Sequence, residues 1–275
     1  MRIFISADLE GVAGVTHPLQ TEPGRPEHAI SCRLMTAECN AAIEGALAGG
    51  AQEVVVADAH WHMRNLLVDE LHPAAELIQG MPRPMQMVQG MGPGFDAAFF
   101  LGYHGAAGTR DAVIDHTYAD EREVLEVRIN GRRQSEGSLN GYLCGYFGCP
   151  LALVSGDSAA VAQMHEFVTE LEGVVVKEGL GRYAARSLHP TRACERIRTA
   201  AERALQRLDN IPLMKLEGDL ELEIDFVRTS MADQSELMPG VRRPGPRTVG
   251  FRSGDYLELY RAFLALVALG GTGSE

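Results

Sequence analysis

Three short segments, Ser6-Ala7-Asp8-Leu9-Glu10-Gly11, Ala57-Asp58-Ala59-His60 and Leu101-Gly102-Tyr103-His104-Gly105, carry acids or imidazoles directly behind an apolar run. If those runs are neighbouring parallel strands, their carboxyl ends open onto one crevice, and Asp8, Glu10, Asp58, His60 and His104 converge despite their distance in sequence. Asp8 and Glu10, two apart, project to the same face of an extended segment. Two carboxylates held that way repel and must take up a proton, unless a cation lies between them. Imidazoles from His60 and His104 complete a mixed oxygen and nitrogen set that suits zinc, manganese or cobalt better than calcium or magnesium. One carboxylate bridging two such ions about 3.5–4 Å apart is the arrangement of two-metal hydrolases. Taken singly, each of these residues would serve equally as a helix cap or a loop partner. Their recurrence at several strand ends is what points to metal. His62 lies on the same side as His60 and is its rival, and spacing alone does not choose between them.

Two further segments carry chemistry. Asp115-His116-Thr117 reads as a loop ahead of a strand, where His116 is either a surface histidine or a catalytic one. Ser135-Glu136-Gly137 precedes a helix, so Glu136 is either one more carboxylate for the cluster or, as its position favours, an acid at the positive end of a helix.

The elements that must position these residues follow an α/β pattern of short apolar runs alternating with longer amphipathic stretches. Strands are expected at Arg2–Asp8, Glu53–Asp58, Ala97–Tyr103, Val124–Ile129, Leu151–Ser155 and Val174–Lys177, and helices at Ser31–Leu47, Gly137–Tyr146, Ser158–Leu171 and Thr191–Leu208. Asn130-Gly131 is a two-residue hairpin turn that should pair Val124–Ile129 with Arg132-Arg133-Gln134. Beyond Asn210, Pro212 breaks the helix and Leu220–Val227 alternates apolar with acidic residues as a half-exposed strand does. A Pro/Gly/Arg-rich loop, Thr248–Phe251 and a last helix from Asp255 follow. The expected organisation is a mainly parallel-sheet catalytic unit over residues 1–180 and a smaller C-terminal α+β unit over 181–275, the latter serving oligomerisation. The final helix, with Tyr256-Leu257-Glu258-Leu259-Tyr260 and Phe263-Leu264-Ala265-Leu266-Val267, is more apolar than a solvated helix needs to be.

Composition narrows the partners. The chain has 275 residues, 45% hydrophobic and 23% charged, enough for an ordinary core. Its 25 Lys and Arg against 37 Asp and Glu give a formal net charge of -12, which repels phosphate backbones and anionic lipid, so neither nucleic acid nor a membrane is expected as a partner. No apolar run approaches the roughly 20 residues that span a bilayer, and the opening residues lack the form of a signal peptide, so the expected compartment is the cytoplasm. Five cysteines, odd in number and without a CxxC pair, suggest buried thiols rather than disulfides or a cysteine zinc site.

In the order and spacing of its motifs the chain resembles the zinc D-aminopeptidases encoded with bacterial dipeptide-permease operons. The resemblance rests on Ser6-x-Asp8-x-Glu10-Gly11, Asp58-x-His60, Asn65-Leu66, Leu71-His72-Pro73, Leu101-Gly102-Tyr103-His104, His116, Glu136-Gly137-x-Leu139-Asn140, Ser155-Gly156-Asp157 and Leu237-Met238-Pro239-Gly240. It covers most of the chain. The segment from His17 to His28 departs from the family's pattern in charge and proline content.

The resemblance implies two zinc ions per subunit, with manganese or cobalt as substitutes, held by Asp8, Glu10, His60, His104 and Glu136 with Asp8 bridging. It implies a catalytic role for His116, as general base or nucleophile, and favours His60 over His62. Asp58 and Asn140 are further candidates for the surrounding shell or the substrate, Asp58 as a partner for a free α-amino group. A homo-oligomer, a ring-stacked decamer with sites facing an internal chamber, is also implied. The expected function is metal-assisted hydrolysis of short peptides or amides with a free N-terminal D-amino acid. Two other readings use the same residues: a dinuclear hydrolase of another amide or of a phosphate ester, and a non-catalytic metal-binding assembly protein. Against a phosphate ester stands the absence of a Gly-rich phosphate loop and of clustered Lys or Arg.

Overall fold

The computed structural model describes residues 1–119 and 123–274. β1 (Arg2–Ala7), β2 (Glu53–Asp58), β4 (Ala97–Tyr103) and β7 (Leu151–Asp157) are buried along nearly their whole length. That is why they read as continuous apolar runs, since a parallel sheet is covered on both faces. With β3 (Ala75–Ile78), β8 (Glu172–Gly181) and β9 (Ala184–Ser187) they form one sheet in the order β3-β2-β1-β4-β7-β8-β9. All its pairings are parallel except β8 with β9. The order runs outward from β1 to β2 and β3 on one side and from β4 to β9 on the other, so the connections reverse between β1 and β4. Register aligns the strand ends there: Ala7 faces Asp58 across β2 and Leu101 across β4.

A second, antiparallel sheet has the order β11-β10-β5-β6, built from β5 (Val124–Ile129), β6 (Arg132–Arg133), β10 (Leu220–Phe226) and β11 (Thr248–Ser253). The β5–β6 hairpin turns as expected, with Asn130 and Gly131 both at positive φ. In β10 every second residue is buried. Helix α1 (Pro26–Ala48) packs on α4 (Pro190–Gln206), where a Cβ at Gly45 would lie 2.2 Å from the Arg198 carbonyl oxygen. α2 (Glu136–Tyr146) and α3 (Ser158–His165) flank β7, while α5 (Thr229–Ser235) and α6 (Tyr256–Gly271) pack together on the second sheet.

Several expectations are corrected. α1 begins at Pro26 rather than Ser31, because Pro26 fits the first helical position, where its missing N–H costs nothing. α3 stops at His165 instead of Leu171, and β8 runs on to Gly181 because it pairs with β9, a four-residue edge strand too short to be legible. β3 and α5 are likewise short and were not foreseen. A cut at residue 180 does not separate the sheets: β5 and β6 lie before it yet belong to the smaller sheet, and β9 and α4 lie after it yet belong with the larger. The apolar α6 is also accounted for within the chain. Tyr256, Leu259, Tyr260, Phe263 and Leu266 are buried, and Tyr256 Oη donates to the Leu139 carbonyl 2.6 Å away in α2.

Candidate metal centre

Behind β1 the chain does not leave the sheet but hugs the end of β4: Asp8 N–H donates to the Leu101 carbonyl at 2.8 Å and Gly11 N–H to the Gly102 carbonyl at 2.7 Å. This approach requires glycine on both sides. A Cβ on Gly11 would lie 2.0 Å from the Tyr103 carbonyl oxygen, and Gly102, at φ +67°, would drive a Cβ to 2.2 Å from the Asp8 carbonyl oxygen. The result is that Asp8 and Glu10 meet the residue following β4, His104. His60 enters from the turn after β2, and Glu136 from the first position of α2, whose cap is Ser135 with its Oγ accepting from Ser138 N–H.

All five side chains are buried and face one another. His60 Nδ1 lies 2.9 Å from Glu10 Oε2 and 3.6 Å from Asp8 Oδ1. His104 Nε2 lies 3.5 Å from Asp8 Oδ2 and 3.4 Å from Glu136 Oε2. Asp8 therefore turns one oxygen to each imidazole. Both rings are oriented from behind: His60 Nε2–H donates to the Thr21 carbonyl at 2.9 Å and His104 Nδ1–H to the Gly105 carbonyl at 3.0 Å. Once the cluster-facing nitrogen gives up its proton on a metal's arrival, each offers a lone pair, in the tautomer a metal ligand needs. Asp8 Oδ2 and His104 Nε2 are buried with no hydrogen-bond partner among the described residues, and Glu10 Oε2 has the His60 ring beside it. Orphaned donors and acceptors of this kind are rare unless something else satisfies them, and a cation fits that need.

The electrostatics agree. Burial, reinforced by the Glu10 charge, pushes the Asp8 carboxyl up to about 7. Burial also acts to raise Glu10, but His60 beside it outweighs that and holds it well below the usual carboxylate range. Burial acts to lower His104, and the facing Glu136 more than reverses it, to about 10. Without a cation, three carboxylates are thus balanced by protons on the imidazoles and on Asp8.

His116 lies beside this cluster. Its ring stacks on His104 at a centroid distance of 4.2 Å, its Nδ1–H donates to the Ile114 carbonyl at 2.8 Å, and its Nε2 is 3.6 Å from Glu136 Oε1. With 18% of its side chain exposed, it is more open to solvent than the five around it. His104, His116 and Glu136 form a group with metal-ligand spacing, as do Asp8, Glu10 and His104.

Other expected residues lie elsewhere. Asp58 is fully buried, and its carboxylate accepts from Asn65 N–H at 2.5 Å, Leu66 N–H at 2.7 Å and Asn65 Nδ2 at 2.9 Å. It organises the turn bearing His60, whose carbonyl also accepts from Asn65 Nδ2, and it is closed off from solvent. Asn140 lies beneath the cluster, accepting from Tyr118 Oη at 2.6 Å and Tyr260 Oη at 3.0 Å and donating to Tyr103 Oη at 3.2 Å. Its side chain is linked to Glu136 through Tyr118, whose N–H donates to Glu136 Oε1 at 2.6 Å. His62 is exposed and packs against Trp61.

Residues not anticipated hold the loops. Buried Lys177, on β8, donates from Nζ to the carbonyls of Glu10, Val12 and Val15. Buried Glu38, on α1, accepts from Ala13 N–H at 2.9 Å. Arg182, at the β8–β9 turn, pairs with Asp115. A lysine closing the apolar run Val174-Val175-Val176 was the one cue in the sequence, because a lysine buried in such a strand must find acceptors. No membrane-spanning helix is present among the described residues.

Residues 1–265 match the peptidase M55 family, described as D-aminopeptidase. A D-aminopeptidase of Bacillus subtilis (strain 168) is 34% identical over 273 residues, covering 98% of this chain and 97% of its own. A solved structure, that of the zinc-dependent D-aminopeptidase DppA from Bacillus subtilis, described as a self-compartmentalizing protease, is similar with a TM-score of 0.95 at 33% identity over 98% of each chain.

Proposed function

The chain belongs to the M55 family of D-aminopeptidases, and we propose that it removes N-terminal D-amino acids from short peptides or amides by means of two zinc ions held by Asp8, Glu10, His60, His104 and Glu136. The protein is a metal-dependent D-aminopeptidase, a hydrolase of the zinc peptidase type. The observation that carries the zinc assignment is the buried set of facing ligand atoms in which Asp8 Oδ2 and His104 Nε2 have no hydrogen-bond partner among the described residues. Two ions are supported by the way Asp8 divides its oxygens between His60 and His104. When bound, zinc supplies Lewis acidity that polarises a carbonyl and brings the pKa of water down toward about 7.

The chain's own residues do the rest. His60 and His104, fixed by the Thr21 and Gly105 carbonyls, present lone pairs without reorganisation. His116, fixed by the Ile114 carbonyl, keeps its Nε2 beside the cluster and accepts a proton there from the attacking water, or attacks the scissile carbonyl with the same lone pair, expelling the amine and leaving an acyl-imidazole that water then hydrolyses. A free, unprotonated α-amino group would supply a neutral lone pair to metal held by these residues, which suits an enzyme reading a free N-terminus. The described relative's self-compartmentalization supports a homo-oligomer here, and the family resemblance supports a decamer.

Zinc analysis with parallel hydrolysis of D-Ala, L-Ala and N-acetyl-D-Ala p-nitroanilides tests this reading. The expected result is zinc in the purified protein and turnover of the free D-alanyl amide alone. Brisk cleavage of the acetylated compound refutes amine recognition, and faster cleavage of the L-isomer refutes the stereochemical preference.

A further inference from the structure

We propose that Arg182, at the tip of the β8–β9 hairpin, is a positioning residue for His116, acting through Asp115. The inference rests on the catalytic reading of His116. His116 sits on a loop whose backbone is strained on either side: Ile114 has φ 54° and Tyr118 has φ 64°, left-handed conformations that β-branched and bulky residues avoid. Such residues persist only where their surroundings over-determine them. The orientation of the imidazole depends on this strain, because its Nδ1–H donates to the carbonyl of Ile114 itself.

The restraint comes from the hairpin. Ile114 N–H donates to the Arg182 carbonyl at 2.9 Å, and the Arg182 guanidinium pairs with Asp115 Oδ1. Asp115 Oδ2 accepts from Gly108 N–H at 2.6 Å, which closes the loop on itself. Asp115, nearly buried, thus ties together both arms of the segment next to His116, and Arg182 neutralises it. Without that charge, Asp115 gains by turning toward water and Ile114 by relaxing to an ordinary φ, and the imidazole turns with its anchor carbonyl. The pair touches none of the five proposed zinc ligands in the contacts described above, so its loss should leave the metal in place.

The test is Arg182→Gln, with Asp115→Asn as a second variant that keeps an acceptor for Gly108 N–H but not the charge. Both are expected to lower kcat about 10–100-fold, the scale of a misplaced catalytic group. KM, zinc content and the thermal unfolding midpoint should stay near those of the parent. Arg182→Lys should recover most of the rate, since the pairing is through one nitrogen. In a His116→Ala background, Arg182→Gln should cost nothing further. Unchanged kcat in both variants, a loss that tracks zinc or the unfolding midpoint, or a full additional loss in the His116→Ala background overturns the proposal. If His116→Ala alone keeps the parent rate, the catalytic reading of His116 has failed and this inference with it. If His116→Ala is impaired and Arg182→Gln is not, only this inference has failed.

Discussion

Asp8 is buried, next to a second carboxylate, and faces an imidazole with each oxygen. Replacing it with Asn removes a charge but little volume, which would leave the proposed zinc under-neutralised. Asp8→Asn is therefore expected to lose zinc and activity together, and metal analysis of the purified variant beside its rate checks this. Retention of both would remove the bridging role. Glu38 makes a different prediction. Burial raises its carboxyl to about 7 from an ordinary 4.5, so the folded protein binds this proton more tightly than the unfolded chain does. The stability so contributed is complete below about pH 4.5 and is lost as pH rises to 7. Glu38→Gln keeps an acceptor for Ala13 N–H and never ionises. It should match the parent near pH 4.5 and exceed it by roughly 1–3 kcal/mol at pH 8, as urea unfolding at the two pH values would report. A difference independent of pH would show that ionisation of Glu38 is not the cause.

At the scale of elements, the site exists because β1 and β4 end side by side and the β1 loop lies directly on the end of β4. Gly11 is the tightest point of that contact, backbone against backbone, so nothing flexible is available to yield. Gly11→Ala is expected to destabilise the fold by roughly 1–3 kcal/mol and to weaken zinc retention, because the displaced segment carries both Asp8 and Glu10. Gly92→Ala, where nothing lies within 4 Å of the added methyl, is the control and should do neither. Thermal unfolding and chelator competition on the two variants separate the outcomes, and equal behaviour would refute the close-packing argument. The β8–β9 hairpin is the second element on which the site depends, with Lys177 gathering the carbonyls behind Glu10 and Arg182 holding the loop before His116.

For the whole molecule, the interleaving of the two sheets means that the smaller unit braces the larger one: Tyr260, on α6, accepts or donates within the Tyr118 and Asn140 network under Glu136. Oligomerisation must use other surfaces than the buried face of α6. Leu180 and Leu237 are about 70% exposed, Val68 nearly as much, and half of Trp61 is open. A homo-oligomer is expected by light scattering at micromolar concentration, and a monomer would remove the assembly proposal.

The gathering of Asp8, Glu10, His60 and His104 was legible in the sequence because buried parallel strands are apolar throughout, so the first acid or imidazole after each run marks the crevice. The same local logic revealed the Asn130-Gly131 turn and the alternation of β10. Other features were decided only by tertiary structure. Lys177 is 167 residues from the Glu10 carbonyl it holds and Arg182 is 67 from Asp115. No local pattern encodes such pairings. Asp58 has the same residue type and strand-end position as Asp8, yet the turn at Asn65 folds back and consumes its carboxylate, whereas no backbone N–H comes within reach of Asp8 Oδ2. Chain position is common to both acids, and what separates a ligand from a brace is which donors the folded loops bring to each oxygen.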